Sequence, residues 1–266
     1  MLIIGEKINA TRKSVAEAIK QRNEGFIAEL AEKQATAGAD VIDVNAGSLK
    51  GRVETAIEDM RWLVKVVKAA VDKPLAIDSD NVDVLEAGLQ NVTGPAPWIN
   101  SVTAEASRLD RVLPLAKKYG GPVVALCMGE QGIPKDVEGR VAAAKIIMEA
   151  GAKIGIEPDR IYFDPLVMPV STDGKAGTII MDTIKEIKKR FPGSKTMVGL
   201  SNISFGLPMR EVLNNNFLVL CMGAGLDAAI LDPTNNHTMF ALRAADALLG
   251  HDDYCTRYIK HFRSAK

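Results

Sequence analysis

Cysteine is scarce in this chain. The three present, Cys127, Cys221 and Cys255, are far apart and odd in number. That excludes a disulfide framework and any CxxC metal or redox motif. A reducing, cytoplasmic compartment is the expected setting, with each thiol acting as a small buried apolar side chain. Histidine is equally unpromising. His237, His251 and His261 all fall late, and neither an HExxH motif nor a Cys/His cluster occurs. No bound metal is therefore expected. Charge of one sign is missing too: 33 Lys+Arg against 33 Asp+Glu give a formal net charge of +0. This argues against a nucleic-acid partner, which needs a large basic face. No segment approaches the ~18 uninterrupted apolar residues of a membrane span. The densest stretch, 217–231, is broken by Asp227. Residues 1–7 lack a basic n-region and a long apolar core, so no signal peptide is expected. No Walker loop occurs. Gly223-Ala224-Gly225-Leu226-Asp227-Ala228 is a weak GxGxxA match that precedes a strand, where a tight turn explains it better. No Pro- or Ser-rich linker divides the chain, and one domain is expected over residues 1–266.

What the chain does contain is a regular alternation of short apolar runs and longer amphipathic stretches. The runs predict eight strands: Leu2–Ile8, Val41–Val44, Pro74–Ile77, Trp98–Val102, Pro122–Leu126, Ile161–Phe163, Thr196–Leu200 and Ala228–Leu231. They are near-continuously apolar, as suits parallel strands covered on both faces. Between them lie helical patterns. Ala56, Met60, Leu63, Val64 and Val67 form one apolar face over Val53–Val71. Val82–Leu89, Arg108–Tyr119, Glu138–Ile154, Thr178–Phe191, Arg210–Met222 and Thr238–Leu249 read the same way. The stretch Ser14–Ala37 is broken at Asn23-Glu24-Gly25, which predicts two helices after the first strand. Gly38, Gly120, Gly151 and Gly250 mark helix ends, and Asp110 and Asp136 mark helix starts. Eight β–α units in this length predict an α/β fold of (β/α)8 TIM-barrel type. An open doubly wound sheet is the alternative, since strand count does not show closure.

Catalysis in such a barrel sits at the C-terminal ends of the strands. Those ends carry a repeated signature. They read Glu6-Lys7-Ile8-Asn9, Asp43-Val44-Asn45, Asp78-Ser79-Asp80-Asn81, Asn100-Ser101, Asp164-Pro165, Ser201-Asn202 and Asp232. Asp and Asn are good caps and turn formers at any one position. Capping does not explain their concentration on one rim, with no His, Cys or Lys beyond Lys7. Buried carboxylates and amides can grip the edge of a flat heterocycle. A carboxylate accepts two parallel N–H bonds, and an Asn both donates and accepts. Asp78, Asn100 and Asp164 match the donor–acceptor edge of a pterin, although purines and flavins fit the same argument.

The composite of motifs resembles a known family. Gly38-Ala39-Asp40-Val41-Ile42-Asp43-Val44-Asn45-Ala46-Gly47, Ala76-Ile77-Asp78-Ser79, Ile99-Asn100-Ser101 and Phe163-Asp164-Pro165 resemble the pterin-binding barrel. Dihydropteroate synthase and the methyltetrahydrofolate methyltransferases share that barrel. Gly199-Leu200-Ser201-Asn202-Ile203-Ser204-Phe205-Gly206-Leu207-Pro208 is similar to the strand-7 motif of the folate domain of cobalamin-dependent methionine synthase. Gly132-Ile133-Pro134-Lys135-Asp136 resembles the loop after strand 5 in the methyltetrahydrofolate:corrinoid protein methyltransferases. A synthase reading is the alternative, but Asn45-Ala46-Gly47-Ser48 lacks that family's Arg-Pro. Ser201-Asn202-Ile203 also stands where its lysine belongs. Expelling pyrophosphate without such cations is hard to justify. A non-catalytic folate-binding protein is a further alternative.

The resemblance implies transfer of a methyl group between N5 of tetrahydrofolate and the cobalt of cobalamin. The folate, as tetrahydrofolate or 5-methyltetrahydrofolate, is then a substrate, and the cobalamin is carried by a partner corrinoid protein. By the same resemblance, Asp78, Asn100 and Asp164 bind the pterin, and Asn202 sits near N5. Gly199 and Ser201 shape that wall, and Met128 and Arg210 occupy matching rim positions. Phe205 and Gly129 stand where some members carry amides. A tertiary amine leaves poorly, so N5 must gain a proton or a strong hydrogen bond as the C–N bond breaks. Asn202 can hold N5–H through its carbonyl oxygen, with Asp43 and Asn45 extending the proton network. A homodimer is expected, with 53–71 and the C-terminal helices as possible contact faces.

Overall fold

The structure, a computed structural model, describes residues 1–47 and 52–264. Ser48, at the end of the second predicted strand, lies outside them. Eight parallel strands close into a barrel in chain order. They are β1 (Leu2–Asn9), β2 (Val41–Asn45), β3 (Leu75–Asp78), β4 (Trp98–Val102), β5 (Val123–Leu126), β6 (Ile161–Asp164), β7 (Lys195–Gly199) and β8 (Ala228–Leu231). β1 pairs with both β2 and β8, which completes the ring and excludes the open sheet. Around it run α1 (Lys13–Lys20), α2 (Glu24–Thr36), α3 (Val53–Ala70), α4 (Val82–Leu89) and α5 (Ala106–Tyr119). Then follow α6 (Val137–Lys153), α7 (Ala176–Arg190), α8 (Arg210–Gly223), α9 (Asn236–Leu248) and α10 (Thr256–Ser264).

Small differences from the predicted elements have local causes. β3 and β5 start one residue after Pro74 and Pro122, because proline has no N–H for the ladder. Both prolines still accept, from Ile42 N at 3.0 Å and Ile99 N at 2.9 Å. β7 stops at Gly199, and Leu200 belongs to a 3-10 turn, Leu200–Ser204. The expected break after β1 is present: the Asn23 side chain caps α2 by accepting from Phe26 N at 3.1 Å. Asp136 caps α6 by accepting from Gly139 N at 2.8 Å. Asp110, by contrast, caps nothing; α5 begins earlier, with Glu105 at its N-cap. Gly151 does not end α6 but lies inside it, and the positive φ of 77° falls at Gly155. Cys127 and Cys221 are buried as expected, whereas Cys255 is exposed in the turn before α10. α10 lies beyond the last helical pattern read from the sequence, and Asp252 caps its start by accepting from Arg257 N at 3.0 Å and Tyr258 N at 2.9 Å.

The core divides by layer. One large apolar cluster fills the space between the strands and α1–α6, and a second lies under α7–α9. A third, smaller cluster plugs the barrel interior: Ile4, Val41, Ala76, Trp98, Val124, Met197 and Ala228, with Tyr162 and Ile230 against it. The Trp98 and Tyr162 rings meet at 4.4 Å between centroids. Side chains alternate along a strand, so each plug residue lies two positions below a mouth residue. Ile4 is below Glu6, Val41 below Asp43, Ala76 below Asp78, Trp98 below Asn100, Tyr162 below Asp164 and Met197 below Gly199. The interior is thus a floor of apolar side chains with a polar layer on top of it.

Candidate active site at the barrel mouth

The polar layer is set by strand register. Asn9 is level with Asn45, Asn45 with Asp78, and Asp78 with Asn100. Four neighbouring strands therefore present a continuous row of amides and one carboxylate at one height. Asp43 lies one inward-facing position below Asn45, on the same face of β2. Across the ring, Asp164 is level with Leu126. Together these strands enclose a cavity of about 360 Å³. Asp43, Asp78, Asn100, Asp164, Gly199, Ser201 and Asn202 line it, with Glu6, Asn9, Thr11 and Arg12 from β1 and its following turn. An adjoining cavity of about 270 Å³ shares Glu6, Arg12 and Ser201 and adds Arg210. A larger cavity of about 440 Å³ lies at the opposite end, against α9 and α10. It has no row of strand-end amides and carboxylates, so chemistry is better sought at the mouth.

Within the mouth, polar groups satisfy one another in pairs. Asn45 Nδ2 donates to Asp78 Oδ2 at 2.6 Å, and Asn100 Nδ2 donates to Asp43 Oδ1 at 3.2 Å. Asp164 Oδ1 accepts from its own loop, Leu166 N, at 2.8 Å. Among the described residues none of the three aspartates has a cation within ion-pair distance, and each holds its proton to higher pH than an ordinary carboxylate. For Asp43 burial dominates, with the charges of Asp78 and Glu6 adding to it, and its pKa stands well above the usual range. Burial also raises Asp78, opposed chiefly by the hydrogen bond from Asn45. Asp164 is pushed up to about 6 by burial, against the pull of the Leu166 N–H and the Arg140 charge. These acceptors are desolvated and only partly used, which is the state a site has when a ligand's N–H groups are to complete it.

Glu6 is the residue that the sequence signature contains but whose role it does not reveal. Its Oε1 accepts from Arg12 at 2.9 Å, and its Oε2 accepts from the Ser201 hydroxyl at 3.4 Å. Burial raises its pKa, with Asp232 adding to the effect and Arg12 opposing it. Lys7, the lone lysine of the strand-end signature, points to Asp232 at 2.6 Å and is spoken for.

Two arginines hold the mouth without lining it. Arg108 on α5 donates to the carbonyls of Ser79 at 2.8 Å and Ser101 at 2.7 Å, and also to Asp80 O. It thereby ties the end of β3 to the end of β4. Arg140 on α6 is buried and reaches Pro134 O at 3.1 Å, Leu166 O at 2.9 Å and Pro165 O. It ties the loop after β5 to the loop after β6. Neither stands in a motif, so only the fold reveals them.

The 3-10 turn after β7 brings Asn202 back over Gly199. A Cβ at Gly199 would stand 3.2 Å from Asn202 Nδ2, so glycine there leaves room for the amide. The Asn202 side chain is exposed to the cavity and makes no hydrogen bond among the described residues. The hydrogen bonds of Asp43 and Asn45 run to Asn100 and Asp78 and do not reach it. Ser201 beside it is the link to Glu6. Arg210 supports this turn from below, through Ser201 O at 2.6 Å and Ser204 Oγ at 3.1 Å. Met128 lies outside the cavity; its carbonyl accepts from Ala104 N at 2.8 Å and joins the loops after β4 and β5.

Comparison with known proteins agrees with this geometry. A family model described as pterin binding enzyme matches residues 5–232. The chain is 40% identical to a methylcorrinoid:tetrahydrofolate methyltransferase of Eubacterium limosum, over 100% of this chain and 97% of that protein. It is 35% identical to a methionine synthase of Mycobacterium leprae, over 87% of this chain but only 20% of that much longer protein. Among solved structures, a 7,8-dihydropteroate synthase from Vibrio fischeri superposes with a TM-score of 0.71 over 94% of this chain and 93% of that one. At 17% identity that likeness is one of fold. A Yersinia pestis dihydropteroate synthase gives 0.66 at the same identity, covering 94% of each chain.

Proposed function

This chain belongs to the pterin-binding enzyme family, and on that premise we propose how its mouth works as a methyltransferase site. The reaction moves a methyl group between N5 of tetrahydrofolate and the cobalt of a corrinoid protein. The observation that carries the reading is the full-length 40% identity to a methylcorrinoid:tetrahydrofolate methyltransferase. The unsaturated Asp/Asn layer supplies the site such a reaction needs.

In this reading the pterin lies against Leu126 and Ile230, the apolar residues of the cavity wall, with Asp78, Asn100 and Asp164 taking its polar edge. The pairs Asn45–Asp78 and Asn100–Asp43 orient those groups before the ligand arrives, which lowers the ordering cost of binding. Asn202, its side-chain amide unbonded among the described residues and poised over Gly199, faces N5. Its carbonyl oxygen accepts from N5–H as the C–N bond breaks, a bond that strengthens with developing charge. The cobalt supplied by the partner is the nucleophile or methyl donor, so this chain needs no nucleophile and no metal of its own. The contacts support a change in the proton route. Asp43 and Asn45 are engaged with the pterin-binding pairs, whereas Glu6 is joined to the Asn202 turn through Ser201. Glu6 is therefore the carboxyl group best linked to N5.

The reading also places the enzyme in the cytoplasm as a homodimer. Buried, unpaired Cys127 and Cys221 suit a reducing compartment, and no described helix is long and apolar enough to cross a membrane. Light scattering tests the dimer. The activity is tested by titrating 5-methyltetrahydrofolate into the purified chain, adding cob(I)alamin and following the cobalamin absorbance. Folate binding with loss of the cob(I)alamin spectrum is expected. Binding without cobalt methylation would mark a folate-binding protein instead.

A further inference from the structure

One side of the mouth is apolar without being covered. Ile133, in the loop after β5, is 39% exposed, and Met168, in the loop after β6, is 38% exposed. Phe205 and Met209, after the β7 turn, are 66% and 76% exposed. β5, β6 and β7 are consecutive in the ring, so the four side chains form an arc along one part of the rim. Across the mouth, the turn after β1 presents Thr11, Arg12 and Lys13 instead.

The arc is held in place. Arg140 joins the β5 and β6 loops through Pro134 O and Leu166 O. The β6 loop is tied to the β7 turn by Val170 N to Ile203 O at 3.0 Å and by Ser171 Oγ to Phe205 O at 3.0 Å. Large apolar side chains exposed on braced loops mark a contact surface rather than a loose edge. The arc also joins the reactive turn directly, since Phe205 N donates to Asn202 O at 3.1 Å.

We infer that the arc of Ile133, Met168, Phe205 and Met209 is the docking surface for the corrinoid partner. This rests on the methyltransferase reading. Cobalt must come within bonding distance of a methyl group held beside Asn202. The carrier therefore has to press its corrin face onto this mouth, and the rim next to Asn202 is the first surface it meets. The protein surface that surrounds the carrier's corrin meets the rim outside the pterin cavity, and an apolar arc on three braced loops suits it better than the polar turn opposite.

The test compares two methyl acceptors in the double variant Phe205→Ser/Met209→Ser, with Phe205→Leu as a conservative control. One acceptor is free cob(I)alamin. The other is a cobalamin-loaded corrinoid protein that binds the wild-type chain. Folate affinity and the rate with free cob(I)alamin should stay within about twofold. KM for the corrinoid protein should rise about tenfold or more with kcat little changed, the scale for losing a central apolar anchor, and Phe205→Leu should restore much of it. Direct binding of the corrinoid protein should weaken in parallel. An equal loss with both acceptors would place the arc in the chemistry and overturn the inference. So would an unchanged KM, including one accompanied by dissociation of a dimer, which would assign the arc to a second copy of this chain. If the wild-type chain binds the corrinoid protein but methylates neither acceptor, the methyltransferase reading fails. The docking surface then stands or falls on the binding measurement alone.

Discussion

The two ends of the barrel use the same acidic residue in opposite ways. At the N-terminal end, Asp227 is fully engaged. It takes Lys188 Nζ at 3.0 Å and Thr196 N at 2.8 Å, and so joins β7, β8 and α7. Asp40 likewise accepts from Ile3 N at 2.8 Å and fixes β1 against β2. At the mouth, Asp43, Asp78 and Asp164 are buried with amides or a single backbone N–H for company and, among the described residues, no cation in contact. Folding gains from the first arrangement and is penalised by the second, because a buried charge without a partner loses its hydration. A barrel of uniform purpose would pair both sets. The contrast identifies the mouth as the end where stability is given up for binding.

The strongest test of the contrast concerns reaction rate. Asn202→Ala should slow single-turnover methyl transfer roughly ten- to a thousandfold, the scale for removing one preorganised polar contact. Folate affinity, measured on the same variant, should fall less than the rate. Equal losses in affinity and kcat/KM at unchanged kcat would make Asn202 a binding residue only. The asymmetry between the ends would then concern affinity rather than catalysis.

Asp164 tests both sides of the contrast at once. Asp164→Ala should weaken folate binding by about 1–3 kcal/mol, because pterin donors lose their acceptor. Asp164→Asn should do the opposite to the unliganded fold. A carboxyl raised from its ordinary range to about 6 in the folded state is least costly below pH 4. Its charge erodes stability as pH rises from about 4 to about 6, and the loss is constant above that. The neutral Asn should therefore stabilise the unliganded protein by up to about 3 kcal/mol at pH 7. The gain should vanish below pH 4. Thermal melts across pH without folate measure this, and a variant less stable than wild type at pH 7 would contradict the penalty at the mouth.

At the other end the signs reverse. Asp227→Ala should cost about 1–3 kcal/mol in chemical denaturation by leaving Thr196 N and Lys188 without their acceptor. Methyl transfer should be unchanged at saturating folate. A loss of activity that outlasts correction for unfolded protein would show that the two ends are coupled.

The smallest expected effect sharpens the geometry. Gly199→Ala places a methyl group 3.2 Å from Asn202 Nδ2, close enough to displace a mobile amide and not the backbone. Stability should change by under about 1 kcal/mol. The methyl-transfer rate should drop by up to about tenfold while folate affinity holds. Equal activity would mean that Asn202 finds its place without the space over Gly199.

Much of this was legible one residue at a time. Apolar runs and their flanking turns marked the eight strands. Strand ends placed Asp78, Asn100, Asp164 and Asn202 on one rim, and their motifs pointed to the pterin-binding family. Such signals are local: a strand is a run, a cap is a short spacing, a motif is contiguous. What was missed joins distant parts of the chain. Asp110 looked like a cap because its type and neighbourhood allow it, and only the true start of α5 rejects it. Gly151 looked like a helix end, yet its missing Cβ serves packing against Ile161.

The tertiary structure alone decided the rest. It set the register that levels Asn9, Asn45, Asp78 and Asn100, and the pairings that join Asp43 to Asn100 and Asn45 to Asp78. It brought Glu6 to Ser201, 195 residues away in sequence, and gave Arg108 and Arg140 their carbonyl clamps. It left Phe205 and Met209 uncovered while similar side chains went inside. The sequence by itself determined which elements form and which chemistry reaches the mouth, because periodicity and side-chain type are properties of short segments. Register, desolvation and exposure depend on what the closed ring places opposite each residue, and no segment carries that information alone.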